Sequence, residues 1–167
     1  MNKNKQYPTL SVVIPVFNES KTLEKILYRV FANDLVTEIV IVDDSSTDDS
    51  YAIIQSFAHR SSQRNKKKIL ISKNKKNIGK GGSLRVGFKM STSDIIVIQD
   101  ADLEYNPVDY IKLIQPIADN RADVVYGSRF IGGTHRVLYF WHYLGNKILT
   151  IMSNIFSNLN LTDMETC

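Results

Sequence analysis

Short apolar runs alternate with helix-like segments along this chain, and this alternation constrains the fold more than any other feature. Continuous apolar runs predict five strands, at residues 10–17, 38–42, 68–72, 95–99 and 123–126. The segments between them carry the i, i+3, i+4 spacing of helices, as at Leu23, Ile26 and Leu27. Strands that are apolar throughout are typical of parallel sheets covered by helices on both faces. The sequence therefore predicts an α/β fold with a mainly parallel central sheet.

Turn and cap signals set the expected helix limits. A glycine-rich turn is predicted at 77–83, leading into a helix through Leu84 and Phe88. Asn106 and Pro107 predict the start of a helix over 108–118, because proline is favoured at the first helical position. The end of the chain predicts a helix over about 138–158.

The length of 167 residues allows one domain with a substantial core. The only cysteine is Cys167, which excludes an internal disulfide and any site built from several cysteines. Residues 1–9 are polar, unlike a signal peptide, and no window approaches the ~18 uninterrupted apolar residues of a membrane span. We therefore expect a cytoplasmic protein.

The net charge of +4 is unevenly distributed. Nine Lys and Arg and no acid lie between Arg60 and Lys80, whereas the rest of the chain holds twelve bases and seventeen acids. One interpretation of this basic segment is a solvated loop around an edge strand. The other is a positive rim that attracts a phosphate-bearing ligand or an anionic membrane surface. No aromatic residue lies inside the segment, so a nucleic-acid partner is not expected.

Polar clusters follow four of the predicted strands. They are Asn18-Glu19, Asp43-Asp44, Asp100–Asp102 and Ser128-Arg129. In a parallel sheet these clusters would meet at the carboxyl edge, where open α/β sheets bind their ligands. Each cluster alone could be a helix cap, but four at one edge indicate a site.

Asp100 and Asp102 are the strongest candidates for a metal site. Their spacing puts both carboxylates on one side of an extended chain, where they repel each other unless a cation lies between them. A hard divalent ion with open positions for phosphate oxygens would meet that need, and Glu104 could join the two aspartates. The alternative is that these acids only cap the helix that starts near Val108.

The remaining motifs are ambiguous by themselves. Asp43 and Asp44 could bind a ribose or a base, cap the next helix, or include a phospho-acceptor. The segment 79–83 permits close backbone approach to a ligand, but it matches neither a P-loop nor the G-x-G-x-x-G motif. Arg129 and Arg136 border a glycine-containing loop and suit phosphate binding, although each also fits a surface ion pair.

Five motifs in order carry a family resemblance. They are VIPVFNE at 13–19, IVDDSSTD at 41–48, NIGKG at 77–81, DADLE at 100–104 and GSRF at 127–130. Together they resemble the family 2 glycosyltransferases, most closely the branch that contains dolichol-phosphate mannosyltransferase and bacterial polyprenyl-phosphate glycosyltransferases. The resemblance covers about residues 10–136 and implies the GT-A fold, a Rossmann-like three-layer sandwich.

The resemblance implies a role for each matching residue. The nucleotide sugar would be bound by Pro15, Phe17, Glu19, Asp43, Asp44, Lys80, Gly81, Asp100, Ala101 and Asp102. Asp100 and Asp102 match the family's catalytic Asp-x-Asp motif and would hold Mg²⁺ or Mn²⁺. Glu104 would be a third ligand, at a position where this branch often has glutamine. Arg129 would be catalytic and, with Arg136, would face the acceptor phosphate or the donor diphosphate.

The implied reaction is an inverting transfer of a sugar from a nucleotide-diphosphate sugar. The expected acceptor is a polyprenyl phosphate, dolichyl or undecaprenyl, which is already anionic and needs little help from a general base. The alternative acceptor is a saccharide hydroxyl in cell-surface polysaccharide synthesis. That acceptor would need a carboxylate base, for which Asp163 and Glu165 are the candidates.

The resemblance also divides the chain. Residues 1–9 would be a polar extension, 10–136 the nucleotide-sugar-binding core, and 137–167 an acceptor-side helical segment. Family members continue further, so we expect the acceptor side to be cut short here. The helix in this segment either packs on the sheet or lies at a membrane surface, with Trp141 and Tyr143 at the headgroup level. The second placement would make the protein peripheral on the cytoplasmic face of the membrane.

Three other classes compete with this interpretation. A nucleotidyltransferase would need a glycine-rich phosphate loop after the first strand, where Pro15 to Glu19 stands instead. A receiver-type regulator would need a phospho-acceptor aspartate in a middle strand and a lysine near the last strand, which the Asp-x-Asp motif fits poorly. An inactive nucleotide-sugar-binding fragment is the third alternative.

Overall fold

The structure is a computed structural model that describes residues 7–62, 67–128 and 140–163. Its strands are β1 (Leu10–Val16), β2 (Glu38–Asp43), β3 (Lys68–Lys73) and β4 (Ile95–Ile98). Its helices are α1 (Leu23–Ala32), α2 (Ser50–Ser62), α3 (Gly79–Met90), α4 (Tyr110–Ala118) and α5 (Phe140–Ser157). A short 3-10 turn, Pro107–Asp109, precedes α4. Strand and helix alternate up to β4, as the sequence predicts.

The four strands form one parallel sheet in the order β3-β2-β1-β4. Val13 in β1 pairs with Val40 of β2 on one side and with Ile98 of β4 on the other. The chain first moves toward the β3 edge and then returns past β2 and β1 to β4. Because such crossovers are right-handed, this reversal places α3 on the opposite face of the sheet from α1 and α2.

Helix α3 covers one face of the sheet. Val13, Val40 and Val42 form a fully buried cluster on that face, and Leu84 of α3 packs against it. Gly87 of α3 lies so close to β1 that an added β-carbon would stand 2.4 Å from Cγ1 of Val13. This close approach fixes α3 on the sheet, with its amino end near the carboxyl ends of the strands.

The other face of the sheet is buried as well. Ile39 and Ile41 alternate with the residues under α3, so they lie on this second face, and both are completely buried. Helices α1 and α2 pack against each other through Phe57, whose ring meets those of Tyr28 and Phe31 edge-on at 5.4 and 5.9 Å. Burial on both faces gives the three layers of an α/β sandwich.

Two predicted elements differ in the structure. Residues 123–126, predicted as a fifth strand, pair with no strand in the described part of the chain, and Val124 and Tyr126 are 67% and 53% exposed. An apolar run forms a strand only where a neighbouring strand supplies hydrogen bonds. The predicted turn at 77–83 is instead largely helical, since α3 begins at Gly79.

The chain divides into two compact units, Met1–Ile114 and Gln115–Cys167. In the second unit, the Asn154 side chain accepts a hydrogen bond from the N–H of Leu161 at 2.9 Å and donates one to its carbonyl at 2.8 Å. These bonds fold the chain back onto the end of α5. The domain boundary predicted at residue 136 lies outside the described residues and stays a prediction. Of the helices described, none combines the length and mean hydropathy that crossing a membrane requires.

Candidate active site

An open cavity of about 270 Å³ lies at the carboxyl ends of β1 and β4. It is lined by Pro15, Val16, Phe17, Glu19, Asp44, Lys80, Ser83, Asp100, Ala101 and Asp102. The chain order reverses between β1 and β4, and such a reversal is where open α/β sheets bind their ligands. Eight of these ten residues belong to the site predicted from the sequence, so the fold brings them together. Their individual roles remain predictions.

The loops that follow β1 and β2 are tied to each other beside the cavity. Asn18 adopts a left-handed φ of 56°, and its Oδ1 accepts a hydrogen bond from the N–H of Thr47 at 2.9 Å. Asp48 accepts hydrogen bonds from the N–H of Ser20 at 3.1 Å and of Ser50 at 3.0 Å. Burial raises the pKa of Asp48, but the bonds from Ser50 and Ser20 outweigh it and lower that pKa to about 2. This network fixes the rim formed by the β1 loop.

Asp44 anchors the start of α3. Its Oδ2 accepts a hydrogen bond from the N–H of Gly79 at 2.8 Å, and its Oδ1 accepts from the N–H of Ile78 at 3.0 Å and the side chain of Asn74 at 2.7 Å. Burial raises the pKa of this carboxyl, but the hydrogen bonds outweigh that effect, and the pKa lies below its usual value. A carboxylate here satisfies N–H groups that a helix start leaves unpaired. Asp44 thus lines the cavity and also holds its wall.

Asp43 is not among the residues that line the cavity. It is completely buried, with Oδ2 accepting a hydrogen bond from the N–H of Ser46 at 3.3 Å and lying 3.9 Å from Nζ of Lys73. Its Oδ1 finds no hydrogen-bond partner in the described part of the chain. The nucleoside-binding role predicted for Asp43, like that for Gly81, which also does not line the cavity, stays a prediction.

Asp100 and Lys80 form an ion pair at the cavity. Nζ of Lys80 lies 2.7 Å from Oδ1 and 2.9 Å from Oδ2 of Asp100. Asp102, two residues on, accepts a hydrogen bond on Oδ1 from the N–H of Glu104 at 2.9 Å. Both aspartates therefore present carboxylate oxygens at one cavity.

The described residues hold no cluster of three or more His, Cys, Asp or Glu side chains suited to a metal ion. A cation at this cavity would then have Asp100 and Asp102 as its protein ligands and would take further oxygens from a bound molecule. Carboxylate oxygens are the donors that Mg²⁺ and Mn²⁺ prefer, so the two residues fit the expected ion. The assignment of Glu104 as a third ligand stays a prediction.

A buried glutamine, not predicted as a site residue, supports the loop that carries the two aspartates. The Nε2 of Gln99 donates to the carbonyls of Asp100 at 3.1 Å and Tyr105 at 3.4 Å, and its Oε1 accepts from the Tyr110 hydroxyl at 2.7 Å. Burial raises the pKa of Tyr110 far above its usual value, so the hydroxyl keeps its proton. The sequence signal that could have revealed this role is the position of Gln99, a single amide side chain at the end of an apolar strand.

Ser83 and Asn74 were also missed by the sequence analysis. The side chain of Asn74 donates to Oγ of Ser83 at 3.0 Å as well as to Asp44. Asn74 directly follows β3, so its position at the carboxyl end of a strand was a signal of the same kind as the four recognised clusters.

Five cations of the basic segment make contacts within the protein. Arg60 pairs with Glu24 and Lys68 with Glu38, each at 2.8 Å; Lys73 and Lys80 contact Asp43 and Asp100, and Lys67 donates to the carbonyl of Asn33. These contacts favour a structural role for much of the segment over a positive rim. The predicted acceptor-side residues Arg129, Arg136 and Glu165 lie outside the described residues, whereas Asp163 is buried.

Comparison with known proteins gives consistent matches. The family model described as Glycosyl transferase family 2 matches residues 11–166. A dolichol-phosphate mannosyltransferase of Pyrococcus furiosus is 33% identical over 126 residues, which cover 74% of this chain and 34% of that relative. An undecaprenyl-phosphate 4-deoxy-4-formamido-L-arabinose transferase of Pseudomonas savastanoi pv. phaseolicola is 32% identical over 158 residues, covering 92% of this chain and 44% of that relative. The chain thus spans less than half the length of these two relatives.

A solved structure shares the fold. The mannosyltransferase from Pyrobaculum calidifontis in complex with GDP-Man and Mn²⁺ matches with a TM-score of 0.54 and 26% identity. The match covers 58% of this chain and 28% of that chain.

Proposed function

Because this chain belongs to glycosyl transferase family 2 and has the GT-A fold, we propose that it transfers a sugar from a nucleotide-diphosphate sugar to a polyprenyl phosphate. The observation that carries the proposal is the meeting of Asp100, Asp102 and Lys80 at one open cavity between β1 and β4. The predicted family and fold are confirmed, whereas the donor, the metal and the acceptor are proposed.

The donor's nucleoside would lie against the β1 side of the cavity. Phe17 is 47% exposed at the rim, so its ring offers an apolar face on which a base can stack. Glu19 and Asp44 also line the cavity and can accept hydrogen bonds from ribose hydroxyls. The relative of known structure in complex with GDP-Man supports a nucleotide sugar as the ligand.

The diphosphate would lie at Asp100 and Asp102, which would hold Mg²⁺ or Mn²⁺. When bound, the ion would neutralise negative charge that grows on the departing nucleoside diphosphate. Lys80 adds a second cation beside the same position, and Gln99 keeps the aspartate loop in place. The neighbour crystallised with Mn²⁺ supports the choice of ion.

The acceptor step follows from the charge of a phosphate. In an inverting transfer, an acceptor oxygen forms a bond to the anomeric carbon as the bond to the diphosphate oxygen breaks, and the leaving group keeps that electron pair. An anionic acceptor needs little general base, so the chain's task is to orient it. We assign this orientation to Arg129 and Arg136, because guanidinium groups bind phosphate in a bidentate manner. The names of the two relatives, both acting with polyprenyl phosphates, support this acceptor.

Helix α5 supports peripheral association with a membrane that carries such an acceptor. Trp141, Ile155 and Phe156 are 75%, 72% and 83% exposed, and Lys147 is the only Lys, Arg, Asp or Glu in the helix. Exposed apolar side chains of this kind can enter a headgroup layer. We expect the protein to co-sediment with anionic vesicles, and Ile155→Asp with Phe156→Asp to reduce the bound fraction severalfold. Equal sedimentation with and without vesicles would exclude this placement.

Turnover by an aspartate variant tests the proposed function. Asp102→Ala removes one of the two carboxylates, and we expect the metal-dependent release of nucleoside diphosphate to fall by about a hundredfold or more, since the site then lacks one of its two proposed protein ligands. Asp109→Ala is the matched control, because that exposed carboxylate pairs only at the surface with Lys112. Release should be measured with polyprenyl phosphate and with Mg²⁺ or Mn²⁺. Retained activity in Asp102→Ala would overturn the proposal.

A further inference from the structure

Lys80 contacts the same carboxylate that the proposed function gives to the metal. Its ammonium lies 2.7 and 2.9 Å from the two oxygens of Asp100, so both oxygens already face a cation of the protein. The side chains of Lys80 and Asp100 are 50% and 21% exposed, which places this ion pair at the open cavity and not in the core. A divalent ion bound to Asp100 would therefore lie close to the ammonium of Lys80, which is within hydrogen-bond distance of the same carboxylate.

The two cations repel each other across one carboxylate. An ion bound to Asp100 would stand only a few Å from the ammonium, and its double charge doubles the repulsion that a single charge would feel. The pair is also partly desolvated, so salt screens the repulsion less than at an open surface. Lys80 must therefore either weaken the binding of the ion or change its own partner when the ion enters.

The backbone around Lys80 permits a change of partner without movement of the helix. Asp44 holds Gly79 and Ile78 directly before it, so the first turn of α3 is anchored. The four-carbon side chain of a half-exposed lysine can rotate between partners while its Cα stays in place. Half of the Lys80 side chain faces solvent, so part of its surroundings is open to a new partner.

We propose that Lys80 competes with the divalent ion for Asp100 and thereby couples metal binding to donor binding; this inference rests on the proposed function. The diphosphate of the donor offers the ammonium a new anionic partner and offers the ion new oxygen ligands. Lys80 moves from Asp100 to a phosphate oxygen as the ion and donor bind. By linkage, the donor then strengthens metal binding by the same factor as the metal strengthens donor binding.

Metal titrations of charge variants test this coupling. In Lys80→Met the side chain keeps its length and loses its charge, so Mn²⁺ without nucleotide should bind about fivefold to twentyfold more tightly than to the wild-type protein. Lys80→Arg keeps the charge and should stay near the wild-type affinity. Lys112→Met is the matched control, because it removes an ion-paired lysine of the same unit that does not line the cavity, and it should change the affinity less than twofold. Mn²⁺ binding is measured by calorimetry or by electron paramagnetic resonance, independently of turnover.

The second half of the experiment repeats the titrations with GDP or UDP present. In the wild-type protein the nucleoside diphosphate should tighten Mn²⁺ binding, since it removes Lys80 from Asp100. In Lys80→Met that gain should be at least about fivefold smaller, because there is no competing cation to remove. Thermal melting of each variant establishes that it is folded.

Two results would overturn the inference while leaving the proposed function intact. One is an unchanged or weaker Mn²⁺ affinity in folded Lys80→Met. The other is a Lys80→Met variant that binds Mn²⁺ more tightly than the wild-type protein by the same factor with and without the nucleoside diphosphate. That result would indicate a general electrostatic effect of the lysine and no exchange of partners. If none of the proteins binds Mn²⁺ with or without a nucleoside diphosphate, the proposed function itself fails, and this inference fails with it.

Discussion

At the scale of single residues, Glu38 shows how this fold uses a buried charge away from the cavity. It lies at the start of β2 and is 2% exposed. Its oxygens accept hydrogen bonds from Oγ of Ser11 at 2.5 Å and from the N–H and hydroxyl of Thr92, both at 2.8 Å, and Lys68 lies at 2.8 Å. Burial raises the pKa of Glu38, but the bonds from Lys68, Ser11 and Thr92 outweigh it and lower the pKa to about 2.

This lowered pKa gives a stability prediction with a defined pH window. A carboxyl whose folded pKa is below its unfolded value stabilises the protein above the unfolded pKa, near 4.5 here, and loses that effect as the pH falls toward about 2. Glu38→Gln should therefore cost about 2–3 kcal/mol of unfolding free energy at pH 7 and roughly half as much at pH 3, where part of the effect is already lost. Urea unfolding at both pH values measures the difference.

Glu24→Gln is the matched control for this prediction. Glu24 also pairs with a cation, Arg60 at 2.8 Å, but both side chains are about half exposed. Exposed pairs contribute less than about 1 kcal/mol, so this variant should stay close to the wild-type stability at every pH. A cost at Glu38 that does not change between pH 7 and pH 3 would contradict the role given to its charge.

At the scale of elements, the position of α3 depends on one close contact with β1. A β-carbon at Gly87 would stand 2.4 Å from Cγ1 of Val13, which is itself fully buried. We expect Gly87→Ala to destabilise the protein by about 1–3 kcal/mol through overpacking. Urea unfolding of the variant and the wild-type protein measures the effect.

Gly81→Ala is the control within the same helix. An added β-carbon at Gly81 has no neighbour within 4 Å, and alanine favours a helix over glycine by up to about 1 kcal/mol. Stability should therefore be unchanged or slightly raised. If both alanine variants destabilise the protein equally, the contact with Val13 does not position α3.

The limits of helices and strands could be predicted where residues close in sequence determine them. Asn106 and Pro107 were predicted to start a helix, and Asn106 does cap the turn before α4, with its Oδ1 accepting from the N–H of Val108 at 3.2 Å. The start of α3 at Gly79 was not predictable, because its capping partner Asp44 lies 35 residues earlier in the chain. The fifth strand was wrong for a related reason, since strand formation requires a neighbour that no local pattern reveals.

The residues of the candidate site could be predicted from the sequence where they directly follow a predicted strand. Asp100, Asp102 and Lys80 were all expected near a ligand, and the parallel sheet does bring them to one cavity. The ion pair between Lys80 and Asp100 was not expected, because it joins the start of α3 to the loop after β4, whose distance only the folded sheet sets. The support from Gln99 and Tyr110 escaped notice for the same reason, since its bonds form in the buried interior.

At the scale of the whole molecule, the loops that follow the strands converge on one edge of the parallel sheet. The unit Met1–Ile114 contains every residue that lines the cavity. The second unit carries α5 and the buried Asp163. Binding of a nucleotide sugar with a divalent ion, as proposed for this cavity, can thus be tested within the full chain.

Thermal unfolding with nucleotide sugars tests that claim most directly. GDP, UDP and dTDP sugars should each be added with Mg²⁺, with Mn²⁺ or with a chelator, to the wild-type protein and to Asp102→Ala. At a concentration about 100 times its Kd, a bound donor adds about 2.7 kcal/mol to the folded state. We predict that at least one donor raises the Tm of the wild-type protein only when a metal is present, and that Asp102→Ala shows no rise. A Tm that no donor raises, or a rise that persists with chelator and in Asp102→Ala, would contradict the account.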